Sequence, residues 1–117
     1  MNDSILVSIK KLLGITEEQT DFDADIIMHI NTTFTILNEL GVGPEEGFII
    51  EDENKYWSEY ISDARKLDKI KTYMYLRVKL YFDPPQNSTL LESMNRQKDE
   101  LEWRLNVTVE NLDSKGE

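Results

Sequence analysis

Residues 75–87 read YLRVKLYFDPPQN, and the fold turns on how that stretch ends. A helical, aromatic-rich run stops at Asp83-Pro84-Pro85. Pro84 disfavours the helical region for the residue before it, and neither proline has the N–H that a continuing helix would donate. Upstream, the spacing predicts a helix from about Lys66 to Phe82 with Leu67, Ile70, Met74, Val78 and Tyr81 on one stripe. Tyr73, Leu76 and Leu80 widen that stripe, so the helix has partners on more than one side and reads as central. Downstream, Asn87 or Ser88 offers a capping oxygen to a last helix carrying Leu90, Leu91, Met94, Leu101 and Leu105. Glu100 and Arg104 stand at the favourable i,i+4 spacing on it. A connection this short favours antiparallel neighbours. Phe82, Asp83, Pro84 and Pro85 are therefore expected to form a structural corner that sets the angle of a long helical hairpin.

The first half of the chain is helical by the same criteria. Asp3 is placed to cap a short helix bearing Ile5, Ile9, Leu12 and Leu13, which Gly14 ends in a left-handed conformation. Asp23 has the position of an N-cap, with Phe22 before it and Ile27 four residues after it as a hydrophobic staple. That helix extends to about Leu40 through Ile26, Ile30, Phe34 and Leu37, and Gly41 closes it. Residues 41–53, GVGPEEGFIIEDE, read as a loop with a short extended segment at Phe48-Ile49-Ile50. Asn54 is placed to cap a short helix bearing Tyr56, Trp57, Tyr60, Ile61 and Ala64. Trp57 and Tyr60 are expected to pack on the central helix. The β-branched run Val107-Thr108-Val109 weakens helicity, and LDSKGE after it reads as a mobile tail. The expected fold is all-α: a small bundle of four to five helices, one domain over 1–106, and a tail over 107–117.

Composition narrows the functional classes. The chain has 117 residues and no cysteine, which removes disulfides, thiolate metal sites and cysteine nucleophiles and fits a reducing compartment. No apolar run has the length of a membrane span, and the order of charges in MNDSILVSIKKLLGI is the reverse of a signal peptide's. Residues 1–65 hold 14 acids against 4 bases, and residues 66–117 hold 9 of each, so the net charge of −10 lies wholly in the first part. This speaks against a cationic grip on DNA, because neutralising phosphates requires clustered Lys and Arg.

No constellation supports catalysis, a cofactor or a metal. Asp21-Phe22-Asp23-Ala24-Asp25 imitates half of a calcium loop, but the required Gly and Glu positions hold Ile26 and Thr32. Those acids fit the dipole at a helix start instead. His29 is the single histidine and has no nucleophile in a recognisable pattern beside it. Gly41-Val42-Gly43-Pro44 lacks the strand and the Lys of a phosphate loop. The acidic pairs Glu45-Glu46 and Asp52-Glu53 read as solvated loop carboxylates.

Four segments carry a resemblance: LLGI (12–15), FDADIIMHINTTFTILNELGVGPEEGF (22–48), IEDENKYWSEYI (50–61) and KTYMYLRVKLYFDPPQNSTLLESMNRQKDELEWRLN (71–106). Together they resemble the small head–tail connector proteins of tailed bacteriophages, with FDPP and DIIMHIN the most specific parts. The resemblance implies a structural virion protein of the head–tail junction that is not an enzyme. It implies assembly in the host cytoplasm into a homo-oligomeric ring of about a dozen subunits, contacting the phage portal protein and a tail-side completion protein. The ring would extend the channel through which DNA passes without sequence-specific binding. Other classes to weigh are an acidic regulatory or decoy protein binding a basic host partner, and a small hydrolase using His29. For the connector reading, the segments left over by the core supply expected partner-binding residues: Phe48, Ile49, Ile50, Glu51 and Asp52 in the loop, and Val107, Val109 and Leu112 near the end.

Overall fold

The structure, a computed structural model, describes the backbone of residues 3–116 and the side chains through Val107. Five helices follow in order: α1 (Ile5–Leu12), α2 (Asp23–Glu39), α3 (Trp57–Tyr60), α4 (Ala64–Phe82) and α5 (Ser88–Gly116). Among the described residues there is no β-strand. The fold is an all-α bundle, and among the described residues no helix is long and apolar enough to cross a membrane.

α4 is the hub, touching α1, α2 and α5. Its Ile70, Tyr73, Met74, Leu76 and Val78 are all buried, as its wide stripe requires. Ile70, Tyr73, Met74 and Val78 meet Ile5, Leu6 and Ile9 of α1, Ile26, Ile30, Phe34 and Leu37 of α2, and Leu105 of α5 in one core. Trp57 and Tyr60 complete it from α3, in an aromatic cluster with Phe34 and Phe48. The Trp57 indole N–H is satisfied by the Ser8 hydroxyl at 2.8 Å.

The hairpin corner follows the FDPP reading. Asp83 leaves the helical region at φ −149°, ψ 67°. The Asn87 side chain then accepts the Leu90 N–H at 3.0 Å and opens α5. At the end of α2, Gly41 (φ +85°) reverses the chain, and the Val42 N–H returns to the Leu37 carbonyl. A left-handed residue of this kind is where glycine is favoured.

Several local expectations are corrected. The cap of α1 is Ser4, not Asp3: its hydroxyl accepts from Val7 and donates to the Glu53 carbonyl at 2.7 Å. That second bond explains the choice, because the segment before α3 lies alongside. The Ile5 N–H bonds the Lys55 carbonyl, the Trp57 N–H bonds the Asp3 carbonyl, and Ser4 and Tyr56 form an isolated bridge. Asp23 is the first residue of α2 and caps nothing; its carboxylate pairs with Lys10 at 2.8 Å. α3 is a single turn preceded by Tyr56, whose N–H bonds the Glu59 carboxylate, while the Asn54 amide folds onto Asp52. Ala64 belongs to α4, which the Asp63 side chain caps. The backbone at Val107–Val109 is helical within α5. Its three β-branched residues each carry a penalty of only tenths of a kcal/mol, too little to end a helix.

Candidate assembly surfaces

Two side chains of α2 hold the loop over 43–53: Asn38 donates to the Pro44 carbonyl at 3.0 Å and the Glu45 carbonyl at 3.3 Å near its start, and Asn31 holds its far part. Asn31 donates to the Ile50 carbonyl at 2.9 Å and accepts the Ile50 N–H at 2.8 Å, pairing both backbone groups as a neighbouring strand would. Ile50 is thereby drawn into the core, at 1% exposed. Phe48 is half-buried, edge-on to both Phe34 and Tyr60, with the Lys55 ammonium over its ring. Ile49, between two anchored neighbours, is 59% exposed, and Glu51 and Asp52 beside it are exposed as well. Of the five loop residues expected to meet a partner, two are thus spent in the subunit's own core. Ile49, Glu51 and Asp52 form the outward surface. Val107 is half-buried, and the side chains of Val109 and Leu112 lie outside the described residues.

Gly43 shapes the start of this loop. It has φ +87°, and a Cβ there would come 2.7 Å from the Tyr60 hydroxyl. That hydroxyl is buried with no hydrogen-bond partner among the described atoms, and burial raises its pKa. Beside it, Val42, Pro44, Ile61 and Leu105 floor a cleft of about 560 Å³ whose rim carries Lys66 and Lys69.

The α4–α5 interface carries a polar clamp. Arg77 bonds the hydroxyls of Tyr73 and Tyr81, each at 2.6 Å, and the Glu102 carboxylate at 2.9 Å; Tyr73 also donates to Glu102 at 2.6 Å. Burial, reinforced by Glu102, raises the Tyr73 pKa. Burial alone would raise Glu102, but the Tyr73 and Arg77 hydrogen bonds outweigh it and lower its pKa. His29, the one histidine, stacks on Tyr81 with centroids 5.6 Å apart. The corner is tied down nearby, where Phe82 packs edge-on against Phe22 at 5.4 Å and Lys79 pairs with Asp83 at 2.8 Å.

The clamp, the Lys10–Asp23 pair and the lysine-rimmed cleft escaped sequence reading. The Tyr73-Arg77-Tyr81 spacing was visible as a helical i,i+4 ladder, but its acidic partner comes from another helix. The cleft joins residues from four separate parts of the chain and has no local signature.

No curated protein and no solved structure matches the chain. The family model described as phage connector protein matches residues 5–112, nearly the whole chain and all five helices in whole or large part. An all-α body accords with that family. From Ile5 at the start of α1 to Leu112 in α5, the chain belongs to the phage connector protein family, structural proteins of the head–tail junction.

Proposed function

We propose that the protein forms a ring of about a dozen copies beneath the portal, extends the DNA channel there, and offers the docking surface for a tail-side completion protein. The observation that carries this reading is the family match over residues 5–112. Physical features support it. A ring needs a subunit that keeps its shape while two different surfaces are engaged. α4 and α5 supply a stiff hairpin, cornered by Pro84 and Pro85 and cross-tied by Arg77 and Glu102. The acid excess of residues 1–65 suits a channel in which DNA must slide, since cationic walls would hold it by counterion release. Assembly takes place in the host cytoplasm before the particle is complete. In this reading Val107, Val109 and Leu112, on the segment 107–117, contact the portal or a neighbouring subunit.

The test is a mass measurement of the purified protein alone and with its portal. A defined complex holding many copies per portal, lost on deletion of 107–117 while the helical signal persists, is the expected result. A protein that stays monomeric and ignores the portal would overturn the reading.

A further inference from the structure

The cations of α4 are oddly placed. Arg65 and Lys66 occupy its first turn and Lys69 the next, where the positive end of the helix dipole disfavours them. Among the described residues none of the three has a carboxylate at ion-pair distance. Lys66 and Lys69 rim the cleft floored by Val42, Pro44, Ile61 and Leu105. Glu59 also lines the cleft, but its carboxylate accepts the Tyr56 N–H at 2.8 Å, so the two lysines are the charges there without an ion-pair partner among the described residues.

The same chain presents the complementary shape elsewhere. Ile49 stands out from the loop with Glu51 and Asp52 at its side. Its neighbours Phe48 and Ile50 are anchored in the subunit, and both backbone groups of Ile50 are held by Asn31. Ile49 is thus fixed in an outward position, so that docking it costs little ordering entropy. An apolar side chain flanked by two acids fits a cleft with an apolar base and two lysines, whose one acid, Glu59, is already bonded to the Tyr56 N–H. Charge complementarity of this kind selects the partner and sets the register.

We propose that Ile49, Glu51 and Asp52 of one subunit seat in the Lys66–Lys69 cleft of the next copy. The two surfaces are different, so the contact is head-to-tail and repeats from copy to copy. The proposal rests on the connector reading above and supplies the contact that reading lacks.

The chain has no cysteine, so single introduced cysteines report one contact cleanly. The full chain carrying Ile49→Cys is mixed with the full chain carrying Lys69→Cys and mildly oxidised. As a control, Ile49→Cys is mixed with Glu92→Cys, an exposed position about 20 Å along α5 from Leu105 at 1.5 Å per residue. The expected result is a disulfide-linked heterodimer in the first mixture, about tenfold weaker in the control. Adding Lys66→Glu to the Lys69→Cys chain should suppress the link by about tenfold or more, since like charges then face each other. All four positions are on the surface or half-exposed, and helical spectra establish that each variant is folded. Equal linking in both mixtures, or none in the first, overturns the contact. Absent linking in the first mixture, together with a wild-type chain that assembles on its portal, leaves the connector reading standing and removes only this interface.

Discussion

Replacing Asn31 by Ala should release the part of the loop around Ile50 from α2, while Asn38 still holds Pro44 and Glu45. The side chain makes two bonds to the backbone of Ile50, at 2.9 and 2.8 Å, and Ile50 is 1% exposed. Removing both leaves a buried N–H and a buried C=O without partners, each worth about 1–3 kcal/mol. The loop has a way out, because it can lift and let water reach those groups at the expense of the Ile50 and Phe48 packing. We therefore expect a loss of about 2–4 kcal/mol, a large share of the roughly 5–15 kcal/mol that holds a domain together. With a urea slope of about 1–3 kcal/mol per molar, the midpoint should fall by roughly 1–2 M. Asn31→Asp should do no better: it keeps the acceptor for the Ile50 N–H but sets a carboxylate against the Ile50 carbonyl. Hydrogen exchange gives the local readout, with the Ile50 amide losing protection while the α4 amides keep theirs. A midpoint within about 0.3 M of wild type, with the Ile50 amide still protected, would refute the assignment of Asn31 as the anchor.

Three further perturbations test other parts of the fold. Asp23→Ala should cost more than Lys10→Met, about 3 kcal/mol against about 1, because it strands the ammonium of a lysine that is 2% exposed with only the Glu17 carbonyl for company; the opposite order in thermal melts would show that Lys10 is solvated some other way. Glu102 has a folded pKa below its unfolded value, so its contribution is fully present above the ordinary carboxylate range and is lost as pH falls through the folded pKa. Glu102→Gln should accordingly flatten the acid side of the stability–pH curve, and an unchanged acid limb contradicts the clamp. Changing Pro84 and Pro85 together to Ala should lower stability by about 0.4–1 kcal/mol per site through the freer unfolded chain, and unchanged melting with unchanged assembly removes the corner from consideration.

The helical stripes, the glycine stops and the FDPP corner were legible because each rests on residues close in sequence. Ile70, Met74 and Val78 advertise a buried face wherever they occur, and Asn87 sits where a cap is needed after two prolines. The errors fall where distant residues decide. Asp3 and Ser4 are equally good caps until Glu53 arrives from fifty residues away to bond Ser4. Asp23 has an ideal capping position but is claimed by Lys10, a lysine whose burial nothing local announces. Phe48 and Ile50 were expected among the segments left over by the core because Asn31, which draws Ile50 in, looks like any polar residue on the back of a helix. Ile49 and Ile50, identical in sequence, end up on opposite sides of the surface, and only the Asn31 bonds distinguish them.

The backbone stitch between residues 3–5 and 55–57 bears on how the chain is made. α1 leaves the ribosome first, yet the segment that holds its start is synthesised about fifty residues later, and α4, the hub of its core, later still. At roughly 5–20 residues per second, Ile5, Leu6 and Ile9 wait several seconds for partners. During that interval they form a short amphipathic helix on an unfinished chain. Such a helix, only eight residues long, is marginal alone in water. α1 is therefore the element of this fold that waits longest for its partners while the chain is made, and it docks only once α4 has followed it out of the ribosome.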